Sequence, residues 1–174
     1  MSQETQPISG HGGPYPTPII VGRLTVDPGW IDYNGHMNVG YYGVAFDQAL
    51  EVMLNDHLGL GETYVRTAGY GPYILQSHLH FTRELHLGDG YTIHYWLVNT
   101  DAKRLHYYAE MFAEADGALC ATQEALILNV SQSTGRSAPF PDWAQARLTR
   151  MAAEHENPDL AARLGAPLGI RRNS

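Results

Sequence analysis

The sequence has a single cysteine, no long apolar run and fewer basic than acidic residues. Its 174 residues include 11 Lys and Arg against 18 Asp and Glu, a formal net charge of −7 that disfavours a nucleic-acid or anionic-membrane surface. Cys120 cannot form an intramolecular disulfide, and its apolar neighbours predict a strand, so we expect a buried, inert thiol. No stretch reaches the roughly 18 apolar residues of a membrane span, and no secretion signal begins the chain. These absences favour a cytoplasmic protein that binds neither nucleic acid nor membrane.

What is present indicates one globular domain with a segment at each end. Hydrophobic residues make up 44% and charged residues 17%, a balance that excludes a disordered chain. Residues 1–17 are rich in Gly, Pro, Ser and Gln and predict a flexible leader. Residues 18–141 form the predicted domain, and 142–174 a helical, basic tail.

The hydrophobic spacing predicts an α+β fold with about five strands and one long helix. Apolar residues recur every three or four positions from Val39 to His57, which predicts a helix with one buried face. "TPIIVGRLTV" predicts the first strand, and period-two alternation from Tyr73 predicts a long, half-buried one. Turns at "LGDG", "TDAK" and "DG" divide the rest into further strands, so we expect a four-strand antiparallel meander from Tyr73 onward.

The tail predicts two helices and carries local positive charge. Asp142 is placed to cap a helix over Trp143 to Glu154, and Asn157 to start a short helix that ends at Gly165. From Arg136 onward the chain holds six basic residues against four acidic ones. These are either solvated helix faces or contacts to a phosphate.

The stretch "GWIDYNGHMNVGYY", residues 29–42, joins the first strand to the long helix. At a helix start the first backbone N–H groups, here expected from about Gly35 to Val39, favour an anion or oxyanion. Asp32 lies just before them. It is either an N-cap or Asx turn, or a nucleophile or general base beside amides that polarise a carbonyl.

This region resembles a known family. "DPGWIDYNGHMNVGYYGVAFDQALEVML" resembles the Asp-x-x-Gly-His-x-Asn-x-x-x-Tyr signature of hotdog-fold thioesterases in the 4-hydroxybenzoyl-CoA thioesterase-like branch. "HLHFTRELHLGD", "DAKRLHYYAEMF", "GALCATQEALILNV" and "GRSAPFP" extend the likeness over about residues 18–141. They are most similar to the betainyl-CoA thioesterases associated with carnitine dehydrogenase.

The resemblance implies roles for individual residues. Asp32 matches the catalytic carboxylate, and Gly35 with His36 the oxyanion-polarising helix start. Asn38 matches a residue that holds the loop or a catalytic water, and Tyr42 the aromatic residue of the first helical turn. Trp30 stands where many relatives have a second acidic residue.

The resemblance also implies an assembly and a substrate. The sheet wraps around the long helix, and two chains form a homodimer, or a dimer of dimers, with the active site at the subunit interface. Coenzyme A enters as part of the acyl-CoA substrate, and no separate cofactor is implied.

Two residue sets are candidates for substrate binding. Aromatic rings could hold a quaternary ammonium acyl group such as betainyl, and basic side chains could meet the CoA phosphates. The aromatic set is Trp30, Tyr33, Tyr41 and Tyr42, with Tyr73 and Trp96 nearby in the fold; the basic set is Arg83, Lys103, Arg104 and Arg136.

Other chemistries stay open. His78 and His80 share a strand face, with His86 and His94 expected near it, which raises the question of a metal. No Cys pair or spaced His-Glu motif accompanies them, so we expect no metal site.

Three functions remain open: an acyl-CoA thioesterase, a hotdog hydratase or dehydratase, and a non-catalytic acyl-CoA binder.

Overall fold

A computed structural model describes residues 6–169. The helices are α1 (Val39–Glu51), continued by a π-helical segment (Val52–Leu58), α2 (Glu62–Ala68), α3 (Asp142–Glu154) and α4 (Pro158–Ala161). The strands are β1 (Ile19–Thr25), β2 (Tyr70–Phe81), β3 (Gly90–Thr100), β4 (Arg104–Ala113), β5 (Leu119–Ser131) and β6 (Arg136–Ser137), and a short 3-10 helix covers Pro28–Trp30. The α+β class and the single long helix are as predicted, whereas α2 and β6 are additions.

The sheet is antiparallel, with strand order β1-β3-β4-β5-β2 and β6 paired to the end of β5. The predicted four-strand meander is wrong in one place: β3, β4 and β5 form a meander, but β2 pairs with β5 instead of β3. The eight residues 82–89 between β2 and β3 are too long for a tight hairpin, and β1 occupies the other edge of β3. β2 is therefore an edge strand.

The long helix packs against one face of the sheet and fills the core. Its buried face includes Tyr42, Phe46 and Leu50, and the hydroxyl of Tyr95 on β3 donates to the carbonyl of Phe46 at 2.5 Å. Val39, which the spacing assigns to this face, is instead exposed. Cys120 is fully buried in the same core, and burial raises the pKa of its thiol, as expected for an inert residue.

β2 is mostly exposed in the isolated chain, which corrects the prediction of a half-buried strand. Tyr73, Ile74 and Leu75 are exposed, as is Phe81 at the strand end. The strand ends there because the N–H groups of Thr82 and Arg83 both donate to the same carbonyl oxygen, that of Cys120, at 2.9 and 3.2 Å. The pattern that predicted burial describes an apolar edge that residues 6–169 do not cover.

The described parts of the two terminal segments pack against the domain. In the described part of the leader, residues 6–17, the N–H of Tyr15 donates to Glu154 on α3, and Arg147 and Arg150 donate to the carbonyls of Ser9 and Gly12. α3 begins at Asp142 with Pro141 as N-cap, one residue earlier than predicted. Asn157 caps α4 as predicted, but α4 ends at Ala161 rather than at Gly165.

The basic residues described in the tail contact other groups of the same chain. Besides Arg147 and Arg150, Arg163 pairs with the buried Glu110 at 2.5 Å. These contacts favour a structural role over contact with a phosphate. Arg171 and Arg172 lie outside the described residues. No helix within residues 6–169 is both long and apolar enough to cross a membrane.

Candidate active site

The loop before α1 is a compact turn closed by backbone hydrogen bonds. The N–H of Asp32 donates to the carbonyl of His36 at 3.1 Å, and the N–H of Gly35 donates back to the carbonyl of Asp32 at 3.0 Å. Gly35 has φ +83°, a conformation that side chains with a Cβ rarely adopt, so the turn requires this glycine. The fully buried Met37 anchors the turn, since its N–H donates to Leu85 at 2.7 Å.

The carboxylate of Asp32 is held on both oxygens and stays partly exposed. Oδ1 accepts from the N–H of Asn34 at 2.8 Å, which is an Asx turn. Oδ2 has a longer contact, 3.4 Å, from the side-chain Nδ2 of Asn38. The local turn therefore fixes one oxygen of Asp32 and leaves the other more loosely held.

Asn38 caps α1, which begins at Val39 as the hydrophobic spacing predicts, but fewer N–H groups are free at this helix start than expected. Its side-chain oxygen accepts from the N–H of Gly40 at 3.0 Å, so the first helical residue is Val39. Gly35 and His36 precede the helix, and three of the five N–H groups expected to be free, those of Gly35, Met37 and Asn38, donate to carbonyls. Within residues 6–169, the N–H groups of His36 and Val39 have no acceptor. Val39 thus provides the free N–H group at the start of α1. The sequence signal for it is Asn38, because asparagine is a preferred N-cap and the residue after the N-cap is the first of the helix.

These groups face a cleft of about 520 Å³ between the N-terminus of α1 and the end of β2. Among the lining residues that the sequence analysis did not single out, Asn34 and Met37 come from the loop before α1. Phe81, Thr82 and Glu84 come from the end of β2 and the segment after it, where alternation alone gave no sign of a bend. The lining consists of Asp32, Tyr33, Asn34, His36, Met37, Asn38, Val39, Tyr42, Phe81, Thr82, Arg83 and Glu84.

Two of the predicted aromatic residues line this cleft. Tyr33 is 97% exposed, whereas Tyr42 is only 4% exposed and its ring meets that of Phe81 edge to face at 5.1 Å. The hydroxyl oxygen of Tyr42 accepts from the N–H of Leu85 at 3.1 Å. The pKa of Tyr42 is raised, chiefly by burial and further by nearby negative charge, so the phenol stays protonated.

The other aromatic candidates lie elsewhere. Trp30 and Tyr41 stack on each other at 5.5 Å and do not line the cleft. Tyr73 is at the opposite end of β2. Trp96 faces the other side of the sheet, where it packs with Tyr108 under Leu160 of α4. The predicted cage is thus smaller than expected.

The basic candidates separate into two locations. Arg83 lines the cleft, and its guanidinium pairs with Asp116 at 2.5 Å. Arg104 lies in register with Leu128, which pairs with Tyr73, eight residues from Phe81 along β2. That separation is about 26 Å at the usual rise of a strand. Lys103 and Arg136 lie at the same far end, so one chain does not bring the four residues together.

The histidines do not form a metal centre. His36 lines the cleft, with Nδ1 3.5 Å from the carbonyl oxygen of Met37. His78 and His80 are exposed on β2, and His94 packs against Phe112 on the outer face. Among the described residues, no three His, Cys, Asp or Glu side chains lie close enough to hold a metal ion.

The sequence profile of the Thioesterase-like superfamily matches residues 26–148, most of the chain and all of the cleft. The chain belongs to this superfamily. It is a thioester hydrolase with the hotdog architecture, in which a curled antiparallel sheet surrounds one long helix. This finding agrees with a carboxylate placed beside a helix start, the arrangement that thioester hydrolysis needs.

Individual relatives in this superfamily extend the likeness beyond the matched region. A betainyl-CoA thioesterase of Pseudomonas aeruginosa is 30% identical over 156 residues, covering 90% of this chain and 93% of its own. An L-carnitine dehydrogenase/betainyl-CoA thioesterase of Rhizobium meliloti is 31% identical, and the match covers 90% of this chain but 30% of that protein. A Staphylococcus aureus protein solved in complex with CoA superposes with a TM-score of 0.79 at 26% identity, over 89% of this chain and 95% of its own.

Proposed function

We propose that this thioesterase hydrolyses an acyl-CoA whose acyl group is short and carries a trimethylammonium, that is, betainyl-CoA, to betaine and free CoA. One observation carries the proposal: Asp32 and Val39, whose N–H group stands at the start of α1, line the same cleft. The nearly full-length likeness to a betainyl-CoA thioesterase supports the choice of acyl group.

The chemistry follows from the two groups. The thioester carbonyl lies between them, with its oxygen toward the Val39 N–H, where the helix dipole stabilises developing negative charge. Asp32 either takes a proton from water, so that hydroxide attacks the carbonyl carbon, or attacks that carbon itself to give an anhydride that water then opens. In both routes the C–S bond breaks and the CoA thiolate leaves and is protonated. Asn38 orients the attacking carboxylate through its 3.4 Å contact.

The cleft walls suit a compact cationic acyl group. Phe81 is 47% exposed and Tyr33 almost fully exposed, so both rings have faces available to a ligand. A quaternary ammonium over such a face gains on the order of 1 to 2 kcal/mol when desolvated.

A second copy of the chain would complete the cleft. Phe81 ends the unpaired edge of β2, which also carries the exposed Tyr73, Ile74 and Leu75. An apolar, unpaired strand edge favours pairing with another strand, and an identical β2 running antiparallel satisfies both edges. The homodimer thus places the partner beside the cleft.

The CoA phosphates are expected to meet Arg83 first, since it alone of the predicted basic set lines the cleft. A phosphate contact by Lys103, Arg104 and Arg136 remains a prediction. A KM that rises with ionic strength, and rises again in alanine variants of these residues, supports a phosphate contact.

The alternatives have less support. A hotdog hydratase would use a histidine with a carboxylate on the helix, whereas the one histidine of the long helix, His57, packs against His11 and Tyr15 and does not line the cleft. A non-catalytic binder would not need a carboxylate beside the helix start.

The experiment is a panel of acyl-CoA thioesters with the release of free thiol as readout. We expect hydrolysis, with betainyl-CoA preferred over 3,3-dimethylbutanoyl-CoA, its uncharged isostere. Tight binding without thiol release overturns hydrolysis. Equal or faster hydrolysis of the neutral isostere overturns the cationic acyl group and leaves a short-chain thioesterase.

A further inference from the structure

The charged groups of the cleft leave it with an excess of negative charge. The carboxylates of Asp32 and Glu84 both line it. Arg83 lines it too, but its guanidinium is bound at 2.5 Å to Asp116, which lies outside the lining. Neither carboxylate is therefore compensated by an arginine or lysine of the lining.

Glu84 is held in place although its carboxylate is not engaged. On one side of it the N–H of Arg83 donates to Cys120, and on the other Leu85 donates to the hydroxyl of Tyr42 and accepts from Met37. The flanking backbone is thus fixed from both directions. Among the described residues, the carboxylate of Glu84 has no hydrogen-bond or ion-pair partner. Its charge nevertheless acts on the cleft, since it contributes to the raised pKa of Tyr42.

The proposed substrate has a cation at an unfavourable place. Its quaternary nitrogen is two bonds from the carbonyl carbon, so it lies in the same cleft as Asp32, close to the positive N-terminal end of α1. The helix repels the cation while it stabilises the oxyanion. A second carboxylate beyond Asp32 would offset that repulsion, and the exposed ring of Phe81, three residues before Glu84, provides an apolar wall for the methyl groups.

We propose that Glu84 is the specificity residue of this site, whose carboxylate selects a cationic acyl group over a neutral one of the same shape. The inference rests on the proposed function. It assigns no bond-making role to Glu84, because Asp32 and the Val39 N–H already provide the reacting groups.

The test compares two thioesters on two variants. Glu84→Gln removes the charge and keeps the shape, and Glu62→Gln removes an exposed carboxylate on α2, which does not line the cleft. For Glu84→Gln we expect kcat/KM to fall about fivefold or more with betainyl-CoA and to stay level or rise with 3,3-dimethylbutanoyl-CoA. Glu62→Gln should preserve the wild-type ratio of the two substrates.

The outcomes separate this inference from the proposed function. If the wild type prefers betainyl-CoA and Glu84→Gln keeps that preference, or loses activity equally with both substrates, the role of Glu84 is overturned while the function stands. If the wild type hydrolyses both thioesters equally, the proposal of a cationic substrate is wrong, and so is the specificity role of Glu84. Partial recovery of the preference in Glu84→Asp supports a charge effect over a change of packing.

Discussion

At the scale of single residues, Asn38 acts on two neighbours at once. Its Oδ1 caps α1 through the N–H of Gly40, and its Nδ2 contacts the carboxylate of Asp32. Replacement by Ala removes both contacts, and we expect a loss of about 1 kcal/mol in the free energy of unfolding together with a lower kcat. Urea denaturation and steady-state kinetics measure the two effects.

Asn38→Ser separates the two roles, since serine is a good N-cap but has no amide to reach Asp32. The stability of this variant should return to near the wild-type value while kcat stays low. A serine variant with normal kcat would show that the contact to Asp32 has no part in the reaction.

Histidine burial makes stability depend on pH. His155 is 1% exposed; its Nδ1 accepts from the N–H of Leu97 at 2.9 Å and its Nε2 lies 2.8 Å from the carbonyl of Pro16, so the ring is held neutral. Burial lowers its pKa, with partial compensation from the Pro16 carbonyl and Glu154, and burial also lowers the pKa of His57 and His94. The folded state therefore binds fewer protons than the unfolded state below about pH 6.5.

Since a lowered histidine pKa gives stability that is present above the unfolded value, the free energy of unfolding should fall as pH drops from 7.5 to 5.5. His155→Asn, compared with the wild type by urea denaturation across this range, should show a smaller decrease even if its absolute stability is lower. An unchanged pH slope would mean that His155 does not contribute.

The sequence placed the Asp32 carboxylate at the cleft but did not give the whole lining. Asp32, Asn38 and Tyr42 are in or at the cleft because one contiguous motif carries them. Tyr41 is wrong as a cleft residue because neighbours on a helix point about 100° apart, so Tyr41 and Tyr42 cannot share one face. The position of Glu84 in the cleft depends on how the chain bends after β2, and no local sequence pattern specifies that bend.

At the scale of elements, the exposed outer edge of β2 pairs with no other strand of residues 6–169. If two β2 strands pair in a homodimer, a charge placed at the exposed Leu75 should dissociate the dimer, because the charge would be buried at the subunit interface. We expect Leu75→Lys to sediment as a monomer at micromolar concentration, with impaired thioester hydrolysis because the cleft loses its partner wall.

The matched control is Ile20→Lys, which places the same charge at an exposed apolar residue of the opposite edge strand, β1. It should sediment as the wild type does. If the wild type is itself a well-folded monomer, or if the β1 variant alone dissociates, the β2 interface is wrong.

Strand existence was predictable, whereas strand order was not. The tight turns Asp101–Arg104 and Asp116–Gly117 follow from local residues, such as Asp101 accepting from the N–H groups of Lys103 and Arg104. The pairing of β2 with β5 joins segments that are far apart in sequence, and alternation looks the same whether a strand is covered by its own chain or by another.

At the scale of the whole molecule, the described parts of the leader and the tail attach to α3 and the sheet while the cleft stays open at the N-terminus of α1. The leader is held through Arg147, Arg150 and Glu154, and α4 covers Trp96 and Tyr108 on the outer face. Attachments of this kind lie away from the reacting groups. The boundaries of the leader, domain and tail stay a prediction.

Asp32 is the group proposed to attack the thioester or to deprotonate water, and Asp32→Asn tests this role directly. The amide is a poor nucleophile and cannot accept a proton from water, so kcat for thiol release from the preferred acyl-CoA should fall about a hundredfold or more. Affinity for CoA, measured by calorimetry, should stay near the wild-type value, and Asp47→Asn, which removes an exposed carboxylate further along α1, should hydrolyse normally. An Asp32→Asn enzyme with near-normal kcat would contradict the account and move the chemistry to another group of the cleft, with His36 the next candidate.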